Sequence, residues 1–334
     1  MICSGAGEDG KAVMTSISRI STFFPERRTA IATLAEVADI PAADRQLLTS
    51  FGIAEIRDGT GFSAAELAVG ATRALLAGQA AGSGPRALIH ISGRAPEALV
   101  ASEATRVQHE SGLFDAFSMG ISDLGCATSS SALMVGRALL AANPSWPGLV
   151  IAHGVRPPGP HRFRRPVTVN GDGGMALLLS RSGPLRILDI ELETNGRYWD
   201  IFKVDYVDRP YETWREECSD ERAYSFSLAV ESVKRFAAMN ERLLRRNGRR
   251  IEDVDHFVMQ NISVGAYRFY EQAFDISFAP VCAENLRRYG HLGPADIVVN
   301  LKAGLDSGEF AAGQLVLVMN NAPVAAWSSM LIEV

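Results

Sequence analysis

Along residues 63–76 the apolar positions recur three and four apart, the spacing that gathers one apolar stripe on a helix. Ser63 and Glu66 supply a capping box at its start. Short apolar runs of strand length lie at 17–23, which ends before Pro25, and at 86–92 and 116–121. A turn at 122–125 then leads into a second helical stretch at 128–142. Fully apolar strands follow at 148–152 and 174–179. After residue 184 the alternation restarts with a strand at 185–193, a long helix at 223–247, a strand at 256–260, a helix at 296–306 and strands at 314–319 and 327–333. Helices alternating with covered strands predict an α/β fold, here in two similar halves, 15–184 and 185–334. Residues 1–14, small and polar, read as a flexible leader. The irregular aromatic stretch 196–217 reads equally as a cap over a pocket or as a packed surface loop.

The chain has 334 residues, and 33 basic side chains stand against 38 acidic ones, a mild acidic excess that argues against a nucleic-acid partner. No apolar run reaches the roughly 18–20 residues of a membrane helix, and the first residues do not read as a secretory signal, so the expectation is a cytosolic protein. Only Lys11, Lys203, Lys234 and Lys302 are lysine, and the other basic residues are arginine, a bias that composition explains as well as anion recognition does.

Four cysteines with no paired spacing make neither a disulfide framework nor a zinc site. Cys3, Cys218 and Cys282 read as packing. Cys126 differs, because a strand ends before it, Gly125 turns the chain, and a helix of small residues begins after it. A helix N-terminus stabilises a thiolate and polarises a thioester carbonyl, so Cys126 is the candidate nucleophile.

Four stretches in order, Gly125-Cys-Ala-Thr-Ser-Ser-Ser-Ala-Leu133, Val169-Asn-Gly-Asp-Gly-Gly-Met-Ala-Leu-Leu178, Tyr289-Gly-His-Leu-Gly293 and the ending 314–330, resemble the β-ketoacyl-ACP synthase III family. The resemblance implies a thiolase-like five-layer α-β-α-β-α fold from two βαβαβαββ halves, in a homodimer. It also implies a cysteine acylated by an acyl carrier protein or coenzyme A thioester, with no resident cofactor or metal. In condensing members a histidine and an asparagine then support decarboxylation of a malonyl thioester.

This sequence departs from that pair. Gln260 stands in the histidine's place, followed by Asn261, and an amide can neither act as a base nor carry charge. His256, four residues earlier on the strand, is too far along to substitute. His291 stands in the asparagine's place, and Asp296 follows a Gly-Pro turn that can return its carboxylate to the imidazole. Cys126, His291 and Asp296 thus have the layout of a nucleophile, base and orienter. This constellation resembles a branch of the family, from polyketide and antibiotic pathways, that moves acyl groups without forming carbon–carbon bonds. The expected acceptor is a hydroxyl, amine or thiol. The alternatives are a condensing enzyme using His291 and Gln260, and a silent subunit of a heterodimer. The family's oxyanion loop corresponds to Ala322-Pro-Val324, where Pro323 has no N–H, so a donor is expected from Asn320 or Asn321 beside the backbone N–H of Cys126.

Four further readings follow from the residues. Gly171-Asp-Gly-Gly174 lacks the spacing and lysine of a phosphate loop and reads as a tight turn. His153, His161, Arg156, Arg162, Arg164 and Arg165 read as a solvated basic loop or as a rim for the donor's phosphates. Arg242, Arg245, Arg246, Arg249 and Arg250 offset the dipole at the end of the long helix or meet an acidic carrier. His90 and His109, without companions in the sequence, read as structural.

Overall fold

Nine strands rich in aliphatic residues build the main sheet: β1 Thr15–Phe23, β2 Ala87–Ile91, β3 Phe117–Ile121, β4 Leu149–Val155, β5 Gly173–Ser180, β6 Leu185–Thr194, β7 His256–Met259, β8 Leu315–Ala322 and β9 Ala326–Glu333. The structure, a computed structural model, describes residues 14–78, 84–93 and 96–334. The leader expected over residues 1–14, and with it Cys3, therefore falls outside the described residues except for Met14.

The sheet runs β7-β8-β9-β6-β1-β5-β4-β2-β3. Outward from its centre the first half reads β1 antiparallel to β5, β5 antiparallel to β4, and β4 parallel to β2. The second half repeats those senses with β6, β9, β8 and β7. The halves join where β1 meets β6 through Thr15↔Ile187, Ser16↔Arg186 and Ile17↔Leu185. In the first half β3 completes the series as a fifth strand, whereas in the second Phe257 makes only an isolated bridge to Phe278.

Eight α-helices accompany the strands among the described residues: α1 Ala42–Ser50, α2 Ala64–Leu76, α3 Glu103–Glu110, α4 Thr128–Ala142, α5 Ala229–Arg246, α6 Val264–Phe274, α7 Pro280–Tyr289 and α8 Asp296–Ser307. Helix α2 packs on β1, β4 and β5, and α5 on β6 and β9, so each covers one half from outside. Helices α4 and α8 touch strands of both halves, α4 reaching β6 and α8 reaching β1 and β5. They form the middle layer, which gives the α-β-α-β-α order of a thiolase-like fold. Packing between strands of both halves explains why α4 carries small residues at Ala132 and Gly136, where a Cβ on Gly136 would come within 2.9 Å of Leu179.

The capping box forms as expected: the Glu66 N–H donates to Ser63 Oγ at 3.1 Å, and the Ser63 N–H donates to Glu66 Oε2 at 2.7 Å. The long helix begins with a wider π turn at Ala223–Leu228 rather than as α-helix from residue 223. Helices α1, α3, α6 and α7 answer to no expectation from the pattern. Three of them are short, and each buries only one to three apolar residues.

Two charge clusters differ from their sequence reading. Arg242 donates to Glu191 at 2.7 Å, and Arg246 to Asp189 at 3.0 Å and to Glu191 at 2.9 Å. These arginines therefore tie α5 to β6 in addition to serving the helix end. The basic stretch 153–165 is not a solvated loop. His153 lies buried in β4 and Arg162 and Arg164 are buried as well, each beside a carboxylate. Burying a guanidinium without such a partner would be costly, so the acids are part of the fold. His90, also buried, has Glu103 at 3.6 Å as its companion.

Candidate active site

The chain turns sharply at Gly125 before α4, and the geometry requires glycine there. Its φ is +51°, and a Cβ would come within 2.9 Å of Ala322 at the β8–β9 hairpin. Gly125–Ala127 form a 3₁₀ turn that runs straight into α4. Cys126 therefore sits at the positive end of α4, buried at 1% exposure. From the second half the side-chain amide of Asn320, on β8, donates to the Cys126 carbonyl at 2.7 Å.

The second half has a matching 3₁₀ turn, Gly293–Ala295, ahead of α8, and Asp296 is the first residue of that helix. His291 lies just before the turn. Its backbone bridges to the first half: its N–H donates to Val169 O at 2.9 Å, and its carbonyl accepts from the Gly171 N–H at 3.0 Å. Gly290 makes this approach possible, with φ +64° and Val169 O only 2.6 Å from where a Cβ would stand. The Gly-Asp-Gly-Gly turn is thus a fixed seat for His291. Asp172 within it is fully buried, bound by Arg162 at 2.9 and 2.7 Å and by the Gly59 N–H at 2.6 Å.

The structure brings Cys126, His291 and Asp296 into one line. Cys126 Sγ stands 3.3 Å from His291 Nε2, and His291 Nδ1 stands 2.7 Å from Asp296 Oδ2. Nδ1 also faces the Asn261 carbonyl at 3.0 Å. With two acceptors before it, Nδ1 carries the proton and Nε2 is left for the sulfur. Asp296 is oriented in turn, because the Leu292 N–H donates to Oδ1 at 2.7 Å and the Asn261 N–H to Oδ2 at 3.0 Å.

Burial works against a charged imidazole, but the negative charges of Cys126 and Asp296 outweigh it and hold His291 up at about 10. Burial likewise pushes Asp296 up from the usual carboxylate range, while the imidazole and the two backbone N–H groups pull against it.

The remaining candidates have other places. Asn261 contributes its backbone to the site, while its side-chain oxygen accepts from Tyr267 Oη at 2.8 Å and Asn300 Nδ2 at 2.8 Å. Gln260 donates to the Asn321 carbonyl at 3.0 Å and accepts from the Asn321 N–H at 3.3 Å. It serves as a strand-to-strand link and does not wall the chamber beside Cys126. His256 is 3.0 Å from Gln314 Oε1, with its ring against Phe310, and takes no part in the site.

A chamber of about 30 Å³ lies beside the sulfur, walled by Arg164, Val167, Tyr224, Leu228, Ile262 and Asn321 with Pro323. A larger cavity of about 310 Å³ adjoins Gly125 and shares Arg164 and Pro323 as walls. Pro323 therefore does face the reactive centre. Asn320 is occupied with the Cys126 carbonyl, so of the two expected replacement donors only Asn321 borders the chamber. Phe202 and Glu216, from the irregular stretch, wall the larger cavity, so part of that stretch does cover a pocket.

Sequence reasoning missed Tyr224 and Leu228, whose side chains reach the chamber from the π turn, and it read Arg164 as part of a solvated basic loop or of a rim for the donor's phosphates. Burial pushes Tyr224 up to about 12, so it remains a protonated phenol. Among the described residues no cluster of His, Cys, Asp and Glu has the makings of a metal site.

Residues 244–334 match the family described as 3-oxoacyl-[acyl-carrier-protein] synthase III C terminal. Among solved structures, 3-oxoacyl-(acyl carrier protein) synthase III, FabH, from Pseudomonas aeruginosa superposes with a TM-score of 0.78 at 19% identity, covering 96% of this chain and 98% of that one. ChlB3, described as an acyltransferase, gives 0.80 at 18% identity over 96% and 98%. A variant form of OleA from Xanthomonas campestris gives 0.78 at 16% over 97% and 99%. No curated protein matches the sequence.

Proposed function

Because the chain has the thiolase-like fold of the FabH-like synthases and ends in the synthase III C-terminal family, we propose that it is an acyltransferase working through an acyl-Cys126 thioester. The observation that carries this reading is the hydrogen-bonded line Cys126–His291–Asp296, with Gln260 turned away to Asn321.

In the first half-reaction Cys126 Sγ attacks the carbonyl carbon of an acyl carrier protein or coenzyme A thioester. The new C–S bond forms, the donor's C–S bond breaks, and His291 Nε2–H returns a proton to the departing thiolate. The backbone N–H of Cys126, at the head of α4, holds the oxyanion. The sulfur then carries no charge. One of the two negative charges that hold His291 high is gone, and its affinity for a proton falls. His291 is thereby freed to act as a base. It takes the proton of an acceptor hydroxyl, amine or thiol as that atom attacks the acyl group, and the cysteine thiolate leaves.

Decarboxylative condensation needs a group that supports the charge left by departing carbon dioxide. Gln260 carries no charge, and its amide is engaged with Asn321 instead of bordering the chamber beside Cys126. The reading places the protein in a polyketide or antibiotic type of pathway, in the cytosol. The open edge of β3, with Phe114 and Phe117 exposed beside it, is the surface for the homodimer that the resemblance implies.

Intact-protein mass spectrometry tests the proposal. An acyl adduct on Cys126 that a hydroxylated acceptor discharges without release of carbon dioxide is the expected result. Release of carbon dioxide with a β-keto product overturns it in favour of condensation. Failure of every donor to give an adduct overturns it in favour of a silent subunit.

A further inference from the structure

Arg156 and Arg164 wall the larger cavity, and of the arginines among the described residues only Arg164 also walls the chamber beside Cys126. Arg162 grips the Asp172 carboxylate with two nitrogens and reaches Asp58 at 3.1 Å. Arg156 donates to the Gly59 carbonyl at 2.7 Å and is 3.8 Å from Asp172, and although its Nε is also buried without a hydrogen-bond partner it does not border the chamber beside Cys126. Arg164 differs. Its side chain is 3% exposed, its plane lies over the Phe202 ring at 4.4 Å, and its ion pair with Glu216 is a loose 3.5 Å approach of Nε to Oε2.

Among the described residues Arg164 Nε is buried with no hydrogen-bond partner. A guanidinium offers its donors in a fixed fork suited to a carboxylate, and a buried donor is costly to leave unmatched. Arg164 also walls both cavities, so an acyl group on Cys126 that extends toward the larger one meets it. The remaining side chains at the small chamber are Val167, Leu228 and Ile262 with Tyr224 and Asn321, and none of them is anionic. Of these two cavities Glu216 borders the larger, and Asn170 Nδ2 donates to it at 3.2 Å.

We propose that Arg164 selects an acyl group bearing its own carboxylate, so that the group loaded on Cys126 is the half-thioester of a dicarboxylic acid. The inference rests on the acyl-Cys126 reading and adds the substrate class to it. The carboxylate accepts from the Arg164 fork while Cys126 attacks the thioester carbon. It passes unchanged to the acceptor, in keeping with a site whose Gln260 does not support its loss. Phe202 stacks the guanidinium in place, and Glu216 sets the strength of the selection by competing for the same donors.

The test compares rates of Cys126 acylation by acetyl, butyryl, malonyl, succinyl and glutaryl groups, each offered as the coenzyme A and as the carrier-protein thioester. The wild type is expected to load carboxylated groups about tenfold or more faster than neutral ones, the worth of one charge-assisted pair. Arg164→Gln should erase that ratio and Arg164→Lys should keep part of it. Glu216→Gln, by freeing donors, should raise it. A neutral group loading as fast in the wild type, or Arg164→Gln slowing both classes alike, overturns the assignment. Loading of neutral groups only leaves the acyl-enzyme reading standing and removes Arg164 alone, whereas no adduct from any donor removes both.

Discussion

The side-chain amide of Asn320 donates to the carbonyl oxygen of Cys126 at 2.7 Å, so a residue of the second half fixes the backbone of the candidate nucleophile in the first. Both residues are about 1% exposed. Asn320→Ala leaves a buried carbonyl without this donor and is expected to cost about 1–3 kcal/mol of stability. Thermal unfolding and the rate of Cys126 acylation should fall together. An unchanged acylation rate would show that the clamp is structural only.

Asp296→Asn keeps the shape of the orienting group but removes its charge and offers His291 Nδ1–H a poorer partner. Discharge of the acyl-enzyme should slow by about 100- to 10,000-fold in single-turnover measurements. A loss of less than about twofold would remove Asp296 from the proposed machinery.

His291 and His256 separate the site from its surroundings. His291→Ala should abolish most transfer, because it removes the imidazole that stands 3.3 Å from Cys126 Sγ. His256→Ala removes a contact to Gln314 and packing on Phe310, and should change stability modestly while transfer persists. Equal losses in the two variants would contradict the proposed triad.

The charge arrangement gives a pH signature whose sign follows from His291. Its proton is held up to about 10 in the folded chain, against about 6.5 for an unperturbed imidazole. The stabilisation from this group is therefore complete below about pH 6.5 and is lost as pH rises toward 10. In Cys126→Ala one of the two charges that raise it is gone, so denaturant unfolding between pH 6.5 and 10 should show a smaller decline than in the wild type. Parallel curves would mean that no such charge pairing exists in the resting protein.

Gly290→Ala forces a side chain into φ +64° with the Val169 carbonyl 2.6 Å away, at the residue before His291. The backbone strain is of order 1–3 kcal/mol, and the bridge between His291 and residues 169–171 should loosen. Transfer should drop more steeply than the melting temperature. The opposite ranking would mean that His291 does not depend on this seat.

Much of the sheet and the central helices was legible because each is a local pattern. Residues 128–142 are helical with the expected bounds, and the expected run at 174–179 lies within Gly173–Ser180, since α4 and β5 are buried across wide faces and their periodicity is unmixed. Helix α3 escaped notice because only Ala104 and Val107 are buried in it. The charges were harder to read. Arg162 and Asp172 are ten residues apart, and Arg164 and Glu216 are fifty-two, so only the folded chain pairs them. Composition therefore could not distinguish a solvated basic loop from a buried ion-pair wall.

The sequence by itself determined which side chains were on offer: a cysteine at a helix start, and a histidine and an aspartate five residues apart across a Gly-Pro turn. Those are properties of residue types and short spacings. Tertiary structure alone decided that the thiol and the imidazole meet across 3.3 Å, that Gln260 faces Asn321, and that Arg164 walls the reactive chamber. The reason is that Cys126 and His291 stand at the heads of two middle-layer elements from different halves of the chain. Their approach is set by the packing of α4 and α8 between the two half-sheets, which no local spacing encodes.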